Sequence, residues 1–214
     1  MIIPLSPLHK GGLKTDGFQS VPVLVYHNFS KNSSGKTSVA EADFEAQMKY
    51  LKENGFHVIS LDQLLDFIDY KEPIPEKSVV ITVDDAVITV DDAWGSIYDI
   101  AFPVLKKYGF PATFFIYTDF IGGGKAMSWE QIQTISEQGF DIQCQTKTHR
   151  NLTARKKNES FEEYFKALEM EIDYPNTLME KKLKKKCKYL AELHSPLSGD
   201  RIHFSLINIG SIAQ

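Results

Sequence analysis

Two pairs of adjacent carboxylates stand out, Asp84-Asp85 and Asp91-Asp92, each closing one copy of the heptapeptide Val-Ile-Thr-Val-Asp-Asp-Ala at residues 80–86 and 87–93. Neighbouring acids at the end of an apolar run repel each other and lose hydration, so a cation or another compensating group is expected beside them. Such a pair can divide labour, one carboxylate ligating a metal and the other acting as base towards water. It also suits a helix N-cap with a solvated neighbour, because Trp94-Gly95-Ser96 follows. The second candidate is His149, which comes just after an apolar run ending at Cys144, with Thr146 and Thr148 between. A lone histidine there is more often a hydrogen-bonded structural residue than a ligand, so the residues alone do not identify a site. Cys144 and Cys187 lie far apart and outside any CxxC spacing; they read as buried free thiols that pair only if the fold brings them together.

The elements that must position these residues alternate along the chain. Val21–Tyr26 is a short apolar strand of the kind a parallel sheet buries on both faces. Phe44, Met48 and Leu51 recur at helical spacing up to Asn54-Gly55, a good C-cap. Strand-like Phe56–Ser60 leads into a helix from Leu61 to Tyr70, then to the strand Ser78–Val83 that runs into the aspartates. A helix over Ile97–Tyr108 ends at Gly109, the strand Ala112–Tyr117 follows, and a helix over Trp129–Glu137 ends at Gly139. The strand Phe140–Cys144 and the amphipathic stretch Phe161–Ile172 complete the pattern. Strands alternating with helices at this rhythm predict right-handed βαβ units and a parallel sheet or barrel. In a parallel barrel the chemistry sits at the C-terminal strand ends, which selects Tyr26-His27, the aspartate pairs and Gln145–His149.

At 214 residues the chain has room for one sizeable α/β domain. Apolar residues at 43% and charged residues at 24% predict a packed core. The net charge of −4 does not favour nucleic acid as a partner. The basic run Lys181–Lys186 reads as a solvated helix face. No stretch of 18 apolar residues predicts a membrane span. Residues 1–7 lack the basic flank and apolar centre of a signal peptide, so the chain reads as cytoplasmic or as lacking its export signal.

Several segments in order resemble the polysaccharide deacetylase family with a NodB-like domain, of the carbohydrate esterase family 4 type. Val21–His27 is similar to its opening Tyr-His strand, and Thr89-Val90-Asp91-Asp92-Ala93 to its Thr-Phe-Asp-Asp-Gly motif. Phe102–Phe115 matches the connecting stretch, and Gln145–Leu152 resembles the His-Thr-x-x-His-x-x-Leu motif. The resemblance runs from about Val21 to Ala191. It divides the chain into an N-terminal arm (1–20), a deacetylase-like domain (21–191) and a C-terminal tail outside the family pattern (192–214).

The resemblance implies a distorted (β/α) barrel and removal of N- or O-acetyl groups from acetylated amino-sugar polysaccharides or oligosaccharides. The cofactor implied is a divalent metal, often zinc, and the family is often extracytoplasmic. Carried over, Asp91 is the base, and Asp92, His149 and Gln145 are the metal ligands. Asp84 and Asp85 are the alternative base and ligand, while His27 and Trp94 are placed on the substrate.

Four departures qualify what is carried over. Gln145 stands where the family has its first metal-binding histidine, and a neutral amide oxygen is a poorer zinc ligand than imidazole. The heptapeptide occurs twice. Because seven is odd, a strand running through both copies would reverse the face of every equivalent side chain. One copy is therefore expected in the strand and the other looped out, with Asp91-Asp92 favoured by the helix behind them. Ala93 replaces a glycine, which would be strained at a positive φ. Finally, residues 192–214 carry none of the late family motifs, including the histidine that serves as general acid. The expectation is a barrel incomplete at its C-terminus, with weakly bound metal and little activity, or a carbohydrate-binding pseudoenzyme.

Overall fold

Runs of Val, Ile and Phe bounded by turn residues form the centre of the molecule as a curled, mostly parallel sheet. It is seen in a computed structural model that describes residues 2–4, 20–32, 38–84, 97–124, 126–194 and 203–208. Strands β2 (Ser20–Tyr26), β6 (Ser78–Val83), β7 (Thr113–Ile116), β8 (Asp141–Cys144) and β9 (Tyr189–His194) lie side by side and parallel. Strand β5 (His57–Ile59) pairs with the first half of β6. The edges are antiparallel: β1 (Ile2–Pro4) joins β2, and β10 (His203–Asn208) joins β9. Both edge strands fall in segments that the sequence reads as arm and tail. A separate parallel pair, β3 (Asn28–Ser30) with β4 (Ser38–Ala40), leads into helix α1. Among the described residues the sheet is an open path from β1 to β10. That is a half-barrel, the incomplete (β/α) barrel expected.

Among the described residues five α-helices flank it: α1 (Glu41–Glu53), α2 (Leu61–Ile68), α3 (Phe102–Tyr108), α4 (Trp129–Glu137) and α5 (Phe161–Leu183). Ser60, Ser128 and Ser160 begin α2, α4 and α5 with complete capping boxes. Each box satisfies two backbone donors at a helix start that would otherwise lack partners. Two elements differ from expectation. The helix expected over 97–108 begins as a π-helical turn, Ile97–Ala101, because Pro103 has no N–H to give to the carbonyl four residues back. Helix α5 continues past Ile172 to Leu183 with Pro175 inside it, and the burial of Pro175 and Met179 outweighs the lost N–H.

The free-thiol reading is overturned. Cys144 and Cys187 form a disulfide with an S–S distance of 2.08 Å and Cα atoms 5.9 Å apart. The parallel pairing of Cys144 with Leu190 brings the chain after α5 back beside the end of β8, which a separation of 43 residues conceals in the sequence.

Alternation along the strands sorts the core into two faces. Leu24, Tyr26, Val79, Ile81, Val83, Phe114, Ile116, Ile142 and Cys144 pack outward against α1, α3, α4 and α5. Val21, Val23, Val80, Phe115, Tyr189 and Ala191 form the inner face, whose lower end Leu61 and Leu64 of α2 cover.

Candidate active site

Continuing the inner-face alternation by one step past each strand gives the candidate site. Val21, Val23 and Val25 lead to His27; Val80 and Thr82 lead to Asp84; Phe115 leads to Tyr117; Gln143 leads to Gln145. The register brings these four positions to one end of the sheet. Asp84 N donates to Tyr26 O at 2.8 Å, and Gln145 N donates to Ile116 O at 2.8 Å. Asp84 is 0% exposed, Gln145 1% and Tyr117 2%. His27 is half-buried and His149 exposed. The outward neighbour Tyr26 serves the core: its hydroxyl donates to Gln47 Oε1 at 2.7 Å, and burial pushes its pKa up to about 12.

The turn after β8 folds His149 back over Gln145. The Gln145 amide nitrogen and His149 Nε2 are 3.3 Å apart, so the amide N–H donates to the ring in the tautomer that leaves Nε2 unprotonated. The imidazole stacks on Tyr117 at 5.2 Å. Thr146 and His149 both have positive φ, 83° and 61°. Such a conformation costs a non-glycine residue about 1–3 kcal/mol and persists only where the surroundings over-determine it.

Those surroundings are explicit. His149 N donates to Thr146 Oγ1 at 3.0 Å. Lys147 N and Thr148 N donate to Glu171 Oε2 at 2.9 and 2.8 Å, and Thr148 Oγ1 donates to Glu171 Oε1 at 2.6 Å. Lys147 Nζ pairs with Asp119 at 2.7 Å, while Asp119 N donates to Lys147 O at 3.0 Å. The hydrogen bond to Asp119 raises the Lys147 pKa. Arg150 then engages Glu159 with both guanidinium nitrogens, at 2.8 and 2.5 Å.

The Gln145–His149 spacing suits a shared cation. Two ligands of a tetrahedral zinc at about 2.1 Å lie about 3.4 Å apart. A half-turn of the Gln145 amide would present its oxygen instead of its nitrogen. These two donors fit a metal, but a complete set needs a carboxylate. Asp84 stands at the same end of the sheet, and Asp85, Asp91, Asp92 and Trp94 lie outside the described residues. Among the described residues no three His, Cys, Asp or Glu side chains converge as a metal-holding group. A groove of about 710 Å³ lined by Tyr26, Val39, Asp43, Gln47 and Tyr50 lies on the outer face by α1, on the other side of the sheet from the inner-face positions.

Sequence reasoning missed Tyr117, Asp119 and Glu171. Tyr117 was readable as the next inward residue after Phe115. Glu171 was readable as an acid on the apolar stripe of α5, between Leu168 and Pro175.

Comparison with known proteins agrees with the order of these elements. YxkH of Bacillus subtilis (strain 168) is 32% identical over 140 residues, 65% of this chain and 47% of that protein. A poly-β-1,6-N-acetyl-D-glucosamine N-deacetylase of Staphylococcus epidermidis is 35% identical over 111 residues, 51% of this chain and 34% of that protein. The chain thus spans less than half the length of either relative. The fold matches Streptococcus pyogenes deacetylase PplD, solved in complex with acetate, at a TM-score of 0.67 and 21% identity. That match covers 79% of this chain and 72% of the other. The family model for polysaccharide deacetylase matches residues 71–191, from the approach to β6 through β8 and α5 into β9, and the chain belongs to the polysaccharide deacetylase family.

Proposed function

We propose that this chain is a deacetylase-type domain directed at acetylated amino-sugar polymers, with a weakened metal site at the strand ends. The reading is carried by the approach of Gln145 to His149 at 3.3 Å, at the mouth where the inner face also delivers Asp84. The substrate class follows the Staphylococcus epidermidis relative, named for its action on poly-β-1,6-N-acetyl-D-glucosamine. His149, Gln145 and one aspartate of the repeat would hold the metal, with zinc the ion best matched to imidazole and carboxylate. When bound, the metal supplies Lewis-acid polarisation of the acetyl carbonyl and lowers the pKa of water.

The remaining work falls to the protein. The sequence favours Asp91 as base and Asp92 as ligand. The position of Asp84, buried directly at the end of β6, supports the first copy instead, with Asp84 as base and Asp85 as ligand. A carboxylate fixed there can take the proton from attacking water without reorganising, since its backbone N–H is already tied to β2. Tyr117 holds the imidazole plane by stacking, and His27 and Trp94 would contact the sugar. Gln145 supports a second reading, a carbohydrate-binding domain with little turnover, because an amide oxygen holds zinc less well than imidazole.

The test is acetate release from acetylated glucosamine oligosaccharides with added zinc. The native chain should release little, Gln145→His should release measurably more, and adding Asp84→Asn to that variant should remove the gain. Robust release by the native chain would contradict the weakened site. A gain lost with Asp91→Asn but kept with Asp84→Asn would move the base to the second copy.

A further inference from the structure

We propose that Glu171 is a positioning residue for the metal site, its carboxylate holding the turn that aims His149 at Gln145. The proposal rests on the reading of Gln145 and His149 as ligands, and it adds a residue remote in sequence on another element. Glu171 sits mid-way along α5 and is 6% exposed. A carboxylate buried this far needs compensation, and here its charge is met by two backbone N–H groups and a hydroxyl, all within 2.9 Å. The donors are consecutive residues, Lys147 and Thr148, lying between the two strained positions Thr146 and His149. Tying those two amides to one anion fixes the peptide planes between the strained residues, and so the direction in which His149 leaves the turn.

The geometry argues for positioning rather than bulk packing. All three bonds go to the turn, while the nearby cation Lys147 Nζ turns to Asp119 on the other side. Lys147 therefore contributes its backbone to Glu171 and its side chain to the segment after β7. The turn is held between α5 and the segment after β7, which also supplies Tyr117 beneath the imidazole. Metal sites depend on such outer partners for ligand orientation, and their loss typically costs about 10–100-fold in metal affinity.

The experiment compares Glu171→Ala and Glu171→Gln with the parent by residue-resolved amide hydrogen exchange and by the His149 ring resonances, which report its stacking on Tyr117. In a Gln145→His background, cobalt(II) titration is the third readout. In Glu171→Ala, exchange at Lys147 and Thr148 should rise about tenfold or more while Phe115 in β7 stays protected. The His149 resonances should move, and cobalt affinity should fall about tenfold or more. Glu171→Gln should fall between, since one amide oxygen can still accept; it also serves if the alanine variant fails to fold. Unchanged exchange at Lys147 and Thr148 with unmoved His149 resonances would overturn the proposal. So would an equal rise across β7 and β8, which would make Glu171 a general stabilising residue. If Gln145→His binds no cobalt at all, the ligand assignment fails, and the exchange and His149 readouts still decide the role of Glu171.

Discussion

Within β8, Gln143 Oε1 accepts from the backbone N–H groups of Lys188 and Tyr189 at 2.8 and 3.1 Å. Just past the strand, Glu171 accepts from the backbone N–H groups of Lys147 and Thr148. In both places one buried polar side chain replaces a missing ladder partner, but the consequences differ. Gln143 joins β8 to β9 inside a network in which its own Nε2 donates to Asp141, Lys188 Nζ donates to Asp62, and the Tyr189 hydroxyl donates to Asp62. Partial burial works against ionisation of Asp62, yet donation from Lys188 and Tyr189 holds its pKa below the usual value. Burial and the Asp62 carboxylate raise the Tyr189 pKa. That end is a closed, regular joint. The other end carries two residues at positive φ and an exposed imidazole, held by a bond within the turn and by contacts from other elements. The same chemistry thus closes the sheet at one end and holds a strained turn at the other.

The disulfide lies between the two ends, and breaking it should have the largest effect on stability. Cys187→Ala, or reduction of the native chain, should cost about 3–4 kcal/mol for a loop closed over 43 residues. Denaturant unfolding with and without reductant measures this. A loss below about 1 kcal/mol would show that pairing of β8 with β9 holds without the covalent link. Next comes Gln143→Leu, which strands the buried N–H of Tyr189 and the part-buried N–H of Lys188 and should cost about 2–3 kcal/mol in the same assay. Its effect should be global, raising exchange throughout β8 and β9, whereas Glu171→Ala should act on the turn alone. Equal, global effects from both variants would erase the distinction between the two ends.

Much of this architecture was legible in the sequence, and the exceptions share a cause. The apolar runs that become β2, β6, β7 and β8 and the Ser-capped helices are local signals, and they lie where periodicity places them. So did the strand ends that carry His27, Asp84, Gln145 and His149. What escaped was non-local. The Cys144–Cys187 bond depends on β9 returning to β8, and the Glu171 bonds depend on how α5 packs over a turn more than twenty residues earlier. The run of α5 through Pro175 was missed for a different reason, since tertiary burial there overrode local propensity, while the π-helical turn follows from the missing N–H of Pro103, a local signal left unread. The identical heptapeptides resist local reading altogether: β6 takes up Val80–Val83 of the first copy, and residues 85–96 lie outside the described residues.

Metal binding by the native chain beside Gln145→His tests the central claim most directly. Zinc or cobalt(II) is titrated calorimetrically into each protein, with Asp85→Asn in the Gln145→His background as control. A weakened site at the end of β8 predicts binding to Gln145→His at one ion per chain, about 10–100-fold tighter than to the native chain and reduced again by Asp85→Asn. Equal affinity in the native and Gln145→His proteins, or no binding to either, would contradict the assignment of Gln145 and His149 to a shared metal.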